Sequence, residues 1–419
     1  MTQAVRWLAV LYVALVPIGR SGLPLNAQWG DLLFPLLVAA VLWTAPGGQW
    51  WSREDWPLAA YLTATLISAL ASGDVKVGLG HLAKQMYGAA IFLLFRKLER
   101  NHTDGRILKV VYAGAMAVVV ATTVLVVYAP PQINHAPSSA GFLGALPVVG
   151  MVERIRGPLE APEMMGNATL VAFALSFGLL AQSTGHARQR WIAIVALLAA
   201  GEALTCSHSV AGFSVATALL LTMDRAPRPL RWVVFVAAFS VLALVNAASI
   251  VGPGRGESSS NFSVRHVSFS ALGGTVTFPL NFYAALKQEA WMAFLDHPNA
   301  GVGPGGFTVV TEKAVREGRL TRFVRRHRPH CELTGRLAET GVLGGLSLLA
   351  LWVSWVSVIG RARFAVVPLQ AAAGAAVVGL LVNSLNADVM NFRFLWLSVA
   401  WAYAPAVSPE EGPAKTRRP

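Results

Sequence analysis

The stretch HCELTGRLAETGVLGG (His330–Gly345) runs without a break into LSLLALWVSWVSVI (Leu346–Ile359). Its second half is membrane-like. Roughly 20 mainly apolar residues are needed to cross about 30 Å of hydrocarbon, and 336–359 satisfies that length and composition. Its first half carries His330, Glu332, Arg336 and Glu339. Ionisable groups at the edge of a span are costly and mark functional positions. The same residues therefore pose the question of the fold and the question of the site.

Outward from this stretch, the same criterion gives twelve spans: 5–19, 28–45, 57–72, 78–95, 107–129, 164–182, 190–206, 209–223, 230–250, 336–359, 364–385 and 390–406. The 419-residue chain is 55% hydrophobic and only 13% charged, against about 25% charged in soluble proteins. Lipid as solvent accounts for the deficit. The expected class is an all-α integral membrane protein in four parts. Residues 1–250 hold nine spans and an outer loop at 130–163, and 251–335 form a long, partly helical outer loop. Residues 336–406 hold the last three spans, and 407–419 a tail. The N-terminal MTQAVRWLAVLYVALVPIG reads as a retained first helix, because no small-residue cleavage site follows it.

Charge sets the orientation. Half of the 34 lysines and arginines fall on the N-terminus, the tail and the connections on the N-terminal side, so both termini are expected in the cytoplasm. The net charge of +13 raises the possibility of a nucleic-acid partner. Its distribution between apolar runs argues against one and for membrane lipids. Two cysteines, Cys206 and Cys331, make no disulfide framework. No metal motif such as CxxC or HExxH is present, so no metal or cofactor is expected.

The long outer loop breaks the charge rule. Arg316, Arg319, Arg322 and Arg326, in EKAVREGRLTRFVRRHRPH (Glu312–His330), recur every three or four residues, which predicts a short helix with all four on one face. Like charges so arranged call for an anion, and forked guanidinium bonds suit a diphosphate. Arg265 stands alone in NFSVRHVSF, and Arg154 and Arg156 lie on the other outer loop in RIRGPLEAPEMMGN. All are candidate phosphate ligands. HPNAGVGPGGF (His297–Phe307) lacks the ending of a phosphate-binding loop and reads as a sharp turn.

His330 is the candidate general base, since neighbouring Arg326, Arg328 and Arg336 would keep its imidazole neutral. Glu339 is expected to orient His330 or the helix end, and His297 and His327 are lesser candidates. His81 and Lys84 in the fourth span are read equally as helix–helix contacts or as function. Arg393 with Asp388 is expected to be a structural pair.

The outer loop resembles that of the O-antigen ligase and polymerase superfamily. The family turn HPxxGVGPGxF is matched by His297–Phe307. Its histidine motif is matched by His330, Glu339, Gly341 and Gly344. The family's Ser-Arg at the end of a span looks like Cys206-Ser207-His208-Ser209, with histidine in place of arginine. Its Arg-x3-Leu is approximated by Arg265 with Phe269, or by Lys287 with Trp291; Cys331 replaces an asparagine.

The resemblance implies a metal-independent, GT-C-like glycosyltransferase of a bacterial inner membrane with its site facing the periplasm. Such a ligase moves glycan from undecaprenyl pyrophosphate to a sugar hydroxyl of lipid A-core in lipopolysaccharide biosynthesis. His330 and Glu339 would be catalytic. The arginines and His297 would hold pyrophosphate and glycan. An O-antigen polymerase or a protein O-oligosaccharyltransferase using the same donor is the alternative. A lipid-linked-sugar flippase is the alternative from another class.

Overall fold

The computed structural model describes residues 2–19, 28–44, 50–99, 102–128, 143–146, 150–159, 161–222, 233, 236, 240, 265–271, 274–280, 282–320, 322–360 and 366–403. Helices dominate them: α1 (Gln3–Leu15), α2 (Trp29–Thr44), α3 (Trp56–Ala71), α4 (Val75–Leu98), α5 (His102–Tyr128), α6 (Pro162–Ala181), α7 (Gly185–Thr205) and α8 (Ser209–Thr222). Then come α9 (Phe282–Asp296), α10 (Phe307–Arg316), α11 (Glu332–Ile359), α12 (Pro368–Asn383) and α13 (Arg393–Ala402). The expected ninth span lies almost wholly outside the described residues.

Three helices are long and apolar enough to cross a membrane, within Asp104–Tyr128, Pro162–Ala181 and Glu332–Ile359. Shorter apolar helices are Gln3–Leu15, Trp29–Thr44, Ser209–Thr222 and Pro368–Asn383. Large apolar side chains point outward along several of them, among them Leu36, Trp43, Leu70, Val118, Leu125, Leu346 and Val353. Contiguous outward apolar faces are unfavourable in water and natural in lipid. The helices are compatible with a multi-pass membrane protein.

α12 is the axle of the bundle. Its residues from Leu369 to Asn383 are buried apart from Gln370. The sequence PLQAAAGAAVVGLLVN supplies small residues that let neighbouring backbones approach. A Cβ on Gly212 of α8 would lie 2.1 Å from the Gly379 carbonyl oxygen, and one on Gly178 of α6 would lie 2.9 Å from Ala372 Cβ. Asn383 seals the junction. Its side chain accepts from Gly212 N–H at 2.8 Å and donates to Asn167 Oδ1 at 2.9 Å.

Polar contacts sort the two ends of the bundle. At the end where α1 starts, Arg6 meets Asp104, Arg96 meets Asp55 and Lys109 meets Glu99. We call this the basal end. At the opposite, upper end, Arg154 before α6 donates to the Thr205 carbonyl that closes α7. There the Glu332 N–H also donates to the Ser384 carbonyl at 2.7 Å.

Among the described residues the strands form two small antiparallel hairpins: β1 (Leu143–Leu146) with β2 (Gly150–Glu153), and β3 (Arg265–Ala271) with β4 (Gly274–Leu280). The second has alternating β-branched and aromatic residues (RHVSFSA, GTVTFPL), a strand signal in the long outer loop.

The arginine ladder is corrected too. α10 ends at Arg316, and Gly318 follows with φ +72°, a left-handed helix stop. Arg322 opens a single 3-10 turn, Arg322–Val324, and Arg326 has φ +65°. The four arginines do not share a helical face. A small core of Leu286, Ala290, Phe307, Ala314, Leu320 and Val324 folds this segment back on itself.

Candidate functional site

The two sequence motifs are bonded to each other. Gly341 breaks α11 with φ +66°, ψ −164°, a backbone region essentially reserved for glycine. The break frees carbonyls that the turn then uses. Val302 N–H donates to the Ala338 carbonyl and Gly303 N–H to the Glu339 carbonyl, each at 2.9 Å; Val342 N–H donates to the Pro298 carbonyl at 2.7 Å. Ser68 Oγ of α3 clamps the same place, donating to the carbonyls of Ala300 at 2.5 Å and Glu339 at 2.9 Å. A Cβ on Gly341 would lie 2.3 Å from the Asn299 carbonyl oxygen, and one on Gly305 would lie 2.4 Å from His81 Nε2 of α4. GVGPGG is thus a staple between α3, α4 and the kink of α11.

His330 sits just before Cys331, the N-cap of α11, with φ +51°, an uncommon backbone state for histidine. The Tyr283 ring of α9 lies edge-on to its imidazole, centroids 4.3 Å apart. Burial holds the imidazole down at about 4. The Glu163 carboxylate opposes that shift, while His327, Lys287 and Arg328 reinforce it. His330 is therefore neutral at ordinary pH, with a free acceptor nitrogen.

Around it stand residues from distant parts of the chain. Lys287 of α9 is buried and donates to Asn386 Oδ1 at 2.8 Å; burial holds its ammonium below the ordinary lysine value. Glu163, in the first turn of α6, accepts from Arg154 Nη2 at 3.0 Å. The charges of Glu163, Lys287 and Arg154 also act on His208 between α7 and α8. Beneath, Glu202 Oε1 accepts from Ser209 Oγ at 2.5 Å, and Ser209 meets Ser207.

Of the residues singled out in the sequence, His330 and Arg154 belong to this group. Arg156 is half-buried two residues further along. Arg265 opens β3 opposite Leu280, and its side chain lies outside the described residues. His297 is exposed where it closes α9 and opens the turn. Glu339 is engaged with the staple: its carboxylate accepts from Gly305 N–H and lies 3.9 Å from Arg336 Nη1. No hydrogen bond joins it to His330 among the described residues.

The loop arginines are partly neutralised. Arg319 pairs with Glu289 and Glu317, and Arg325 and Arg326 both reach Glu312. Arg316 and Arg322 are exposed, without an ion pair among the described residues. The expected Arg393–Asp388 pair is replaced by Arg393 with Asp31 and by Arg328 with Asp388 at 3.8 Å.

Sequence reasoning passed over Glu163 and Tyr283. The available signal for Glu163 was an acid directly after Pro162, where a helix N-terminus favours negative charge, following two arginines. Tyr283 carried no signal beyond its helix. Both cysteines are free thiols, and among the described residues no three His, Cys, Asp or Glu side chains gather as a metal-holding group. In comparisons with known proteins, no family model and no curated protein matches the chain.

Proposed function

We propose that the protein is a twelve-span, GT-C-like glycosyltransferase of a bacterial inner membrane. It transfers glycan from undecaprenyl pyrophosphate to a sugar hydroxyl of lipid A-core on the periplasmic side. One observation carries the reading most: a neutral, half-buried histidine within reach of the charges of Glu163, Lys287 and Arg328 at one end of an apolar helical bundle. A base beside cations is what a hydroxyl acceptor and a pyrophosphate leaving group require together.

His330 accepts the acceptor's proton as its oxygen attacks the anomeric carbon. The bond from that carbon to the pyrophosphate oxygen breaks, the electron pair leaves with the phosphate, and the carbon inverts. Arg154 and Lys287, with Arg265 as the sequence candidate, stabilise the departing charge. An imidazole held near 4 is a weak base in the free protein. An arriving pyrophosphate raises the basicity of both His330 and Lys287 by opposing charge. Donor binding thereby switches the base on.

The test uses purified protein, undecaprenyl-pyrophosphate-linked glycan and lipid A-core in EDTA, with transfer read as a mass shift of the acceptor. Wild type transfers, and His330→Ala loses about 10²–10⁴-fold. An undiminished His330→Ala rate removes the histidine from the chemistry. Longer lipid-linked chains in place of acceptor product make the protein a polymerase.

A further inference from the structure

One group beside the His330 centre, sharing Arg328 with it, asks for a ligand of its own. Lys84 lies on α4 about 14 Å along the helix from its start at Val75, at 1.5 Å per residue. It is exposed among outward-facing Leu79 and Met86, which are 41% and 54% accessible, an apolar surface suited to lipid. A lysine there is costly unless an anion meets it. Lys84 has no hydrogen bond or ion pair among the described residues.

His81, one turn earlier on the same face, is pressed against Gly305 of the staple. Arg328 approaches from the outer loop, and its positive charge acts on both Lys84 and His81. The carboxylate partner of Arg328, Asp388, stands off at 3.8 Å. Arg328 has loose acids near it in Asp388 and Glu339, whereas Lys84 has no ion pair among the described residues, and at the edge of a low-dielectric medium that charge calls for an anion.

We infer that Lys84, Arg328 and His81 form a docking site for the phosphate of a lipid-borne substrate, entered from the bilayer. It is separate from the Arg154–Lys287–Glu163 group. The location selects a lipid-borne phosphate over a free one: the apolar face beside Lys84 accommodates the tail while the head turns inward. Arg328 also acts on His330, so a phosphate held here lies beside the reacting centre. The inference rests on the reading of that centre as a transferase using lipid-linked glycan.

The experiment measures binding without transfer, using full-length protein in neutral detergent. The probes are undecaprenyl pyrophosphate against undecaprenol, and phosphatidic acid against diacylglycerol. Wild type binds the phosphorylated member of a pair at least about tenfold more tightly. Lys84→Met removes most of that preference, Lys84→Arg keeps it, and Arg328→Gln weakens it, all with unchanged thermal unfolding. Loss confined to undecaprenyl pyrophosphate assigns the site to the donor. Equal loss for both probes assigns it to phosphate headgroups on lipids generally. Unchanged preference in Lys84→Met overturns the site. Wild type that binds but never transfers overturns the transferase and leaves the site standing.

Discussion

The two ends of the bundle treat charge in opposite ways. At the basal end Arg96 grips Asp55 through both guanidinium nitrogens at 2.6 and 2.9 Å, and Lys109 lies 2.5 Å from Glu99. Arg6 lies 2.6 Å from a fully buried Asp104. Each of these three cations has an acid. At the upper end Lys287 donates to a neutral amide in Asn386, Arg328 stands 3.8 Å from Asp388, and Lys84 has no acid among the described residues. The upper end also keeps matched scaffold pairs, Arg393 with Asp31 and Arg336 with Glu332. Matched buried pairs hold helices in register, because breaking one leaves an uncompensated charge. Cations in excess mark the place for an anion from outside.

The contrast can be broken in four ways. The largest effect is on chemistry at the upper end: His330→Ala should lose about 10²–10⁴-fold in transfer with an unchanged thermal midpoint. A fall in both would return the histidine to the scaffold. At the basal end, Asp55→Asn should cost about 3–5 kcal/mol, read as a lowered midpoint in detergent, with normal transfer per folded molecule. A variant as stable as wild type would erase the distinction between the ends.

Gly341→Ala comes third. The positive φ alone costs about 1–3 kcal/mol, and the added methyl meets the Asn299 carbonyl. Transfer should fall with stability, because the staple carries the start of α11 and hence His330.

The smallest effect is the sharpest. Transfer needs neutral His330, so kcat/KM should fall as the pH drops through about 4, the free-protein value. Glu163→Gln removes the charge that raises that value and should move the acid limb down. Lys287→Met removes one that lowers it and should move the limb up, each by up to about one unit. Shifts of the same sign would place the two residues away from His330.

Much of the helical framework was legible, because apolar length is a local property: α5, α6 and α11 follow directly from it. The sharp turn at GVGPGG was equally legible from glycine and proline. What escaped depended on partners remote in the chain. Asp388 lies five residues from Arg393, yet Arg393 pairs with Asp31, 362 residues away. The arginine ladder misled because spacing alone implied a helix that Gly318 terminates. Glu163 escaped because only the fold brings the start of α6 to a histidine before α11. The β3–β4 hairpin was overlooked because its alternation sits beside a glycine- and serine-rich run that reads as loop.

The staple has a consequence for exchange between proteins. Val302 and Gly303 of the turn donate to carbonyls left unpaired where Gly341 interrupts the helix, and Ser68 clamps turn and helix together. The turn and the kink are therefore one heritable part written in two places. A chimera that imports a foreign turn without the matching 338–342 would misfold at the seam. One that moves both, together with the serine of α3, transplants the platform of His330 whole.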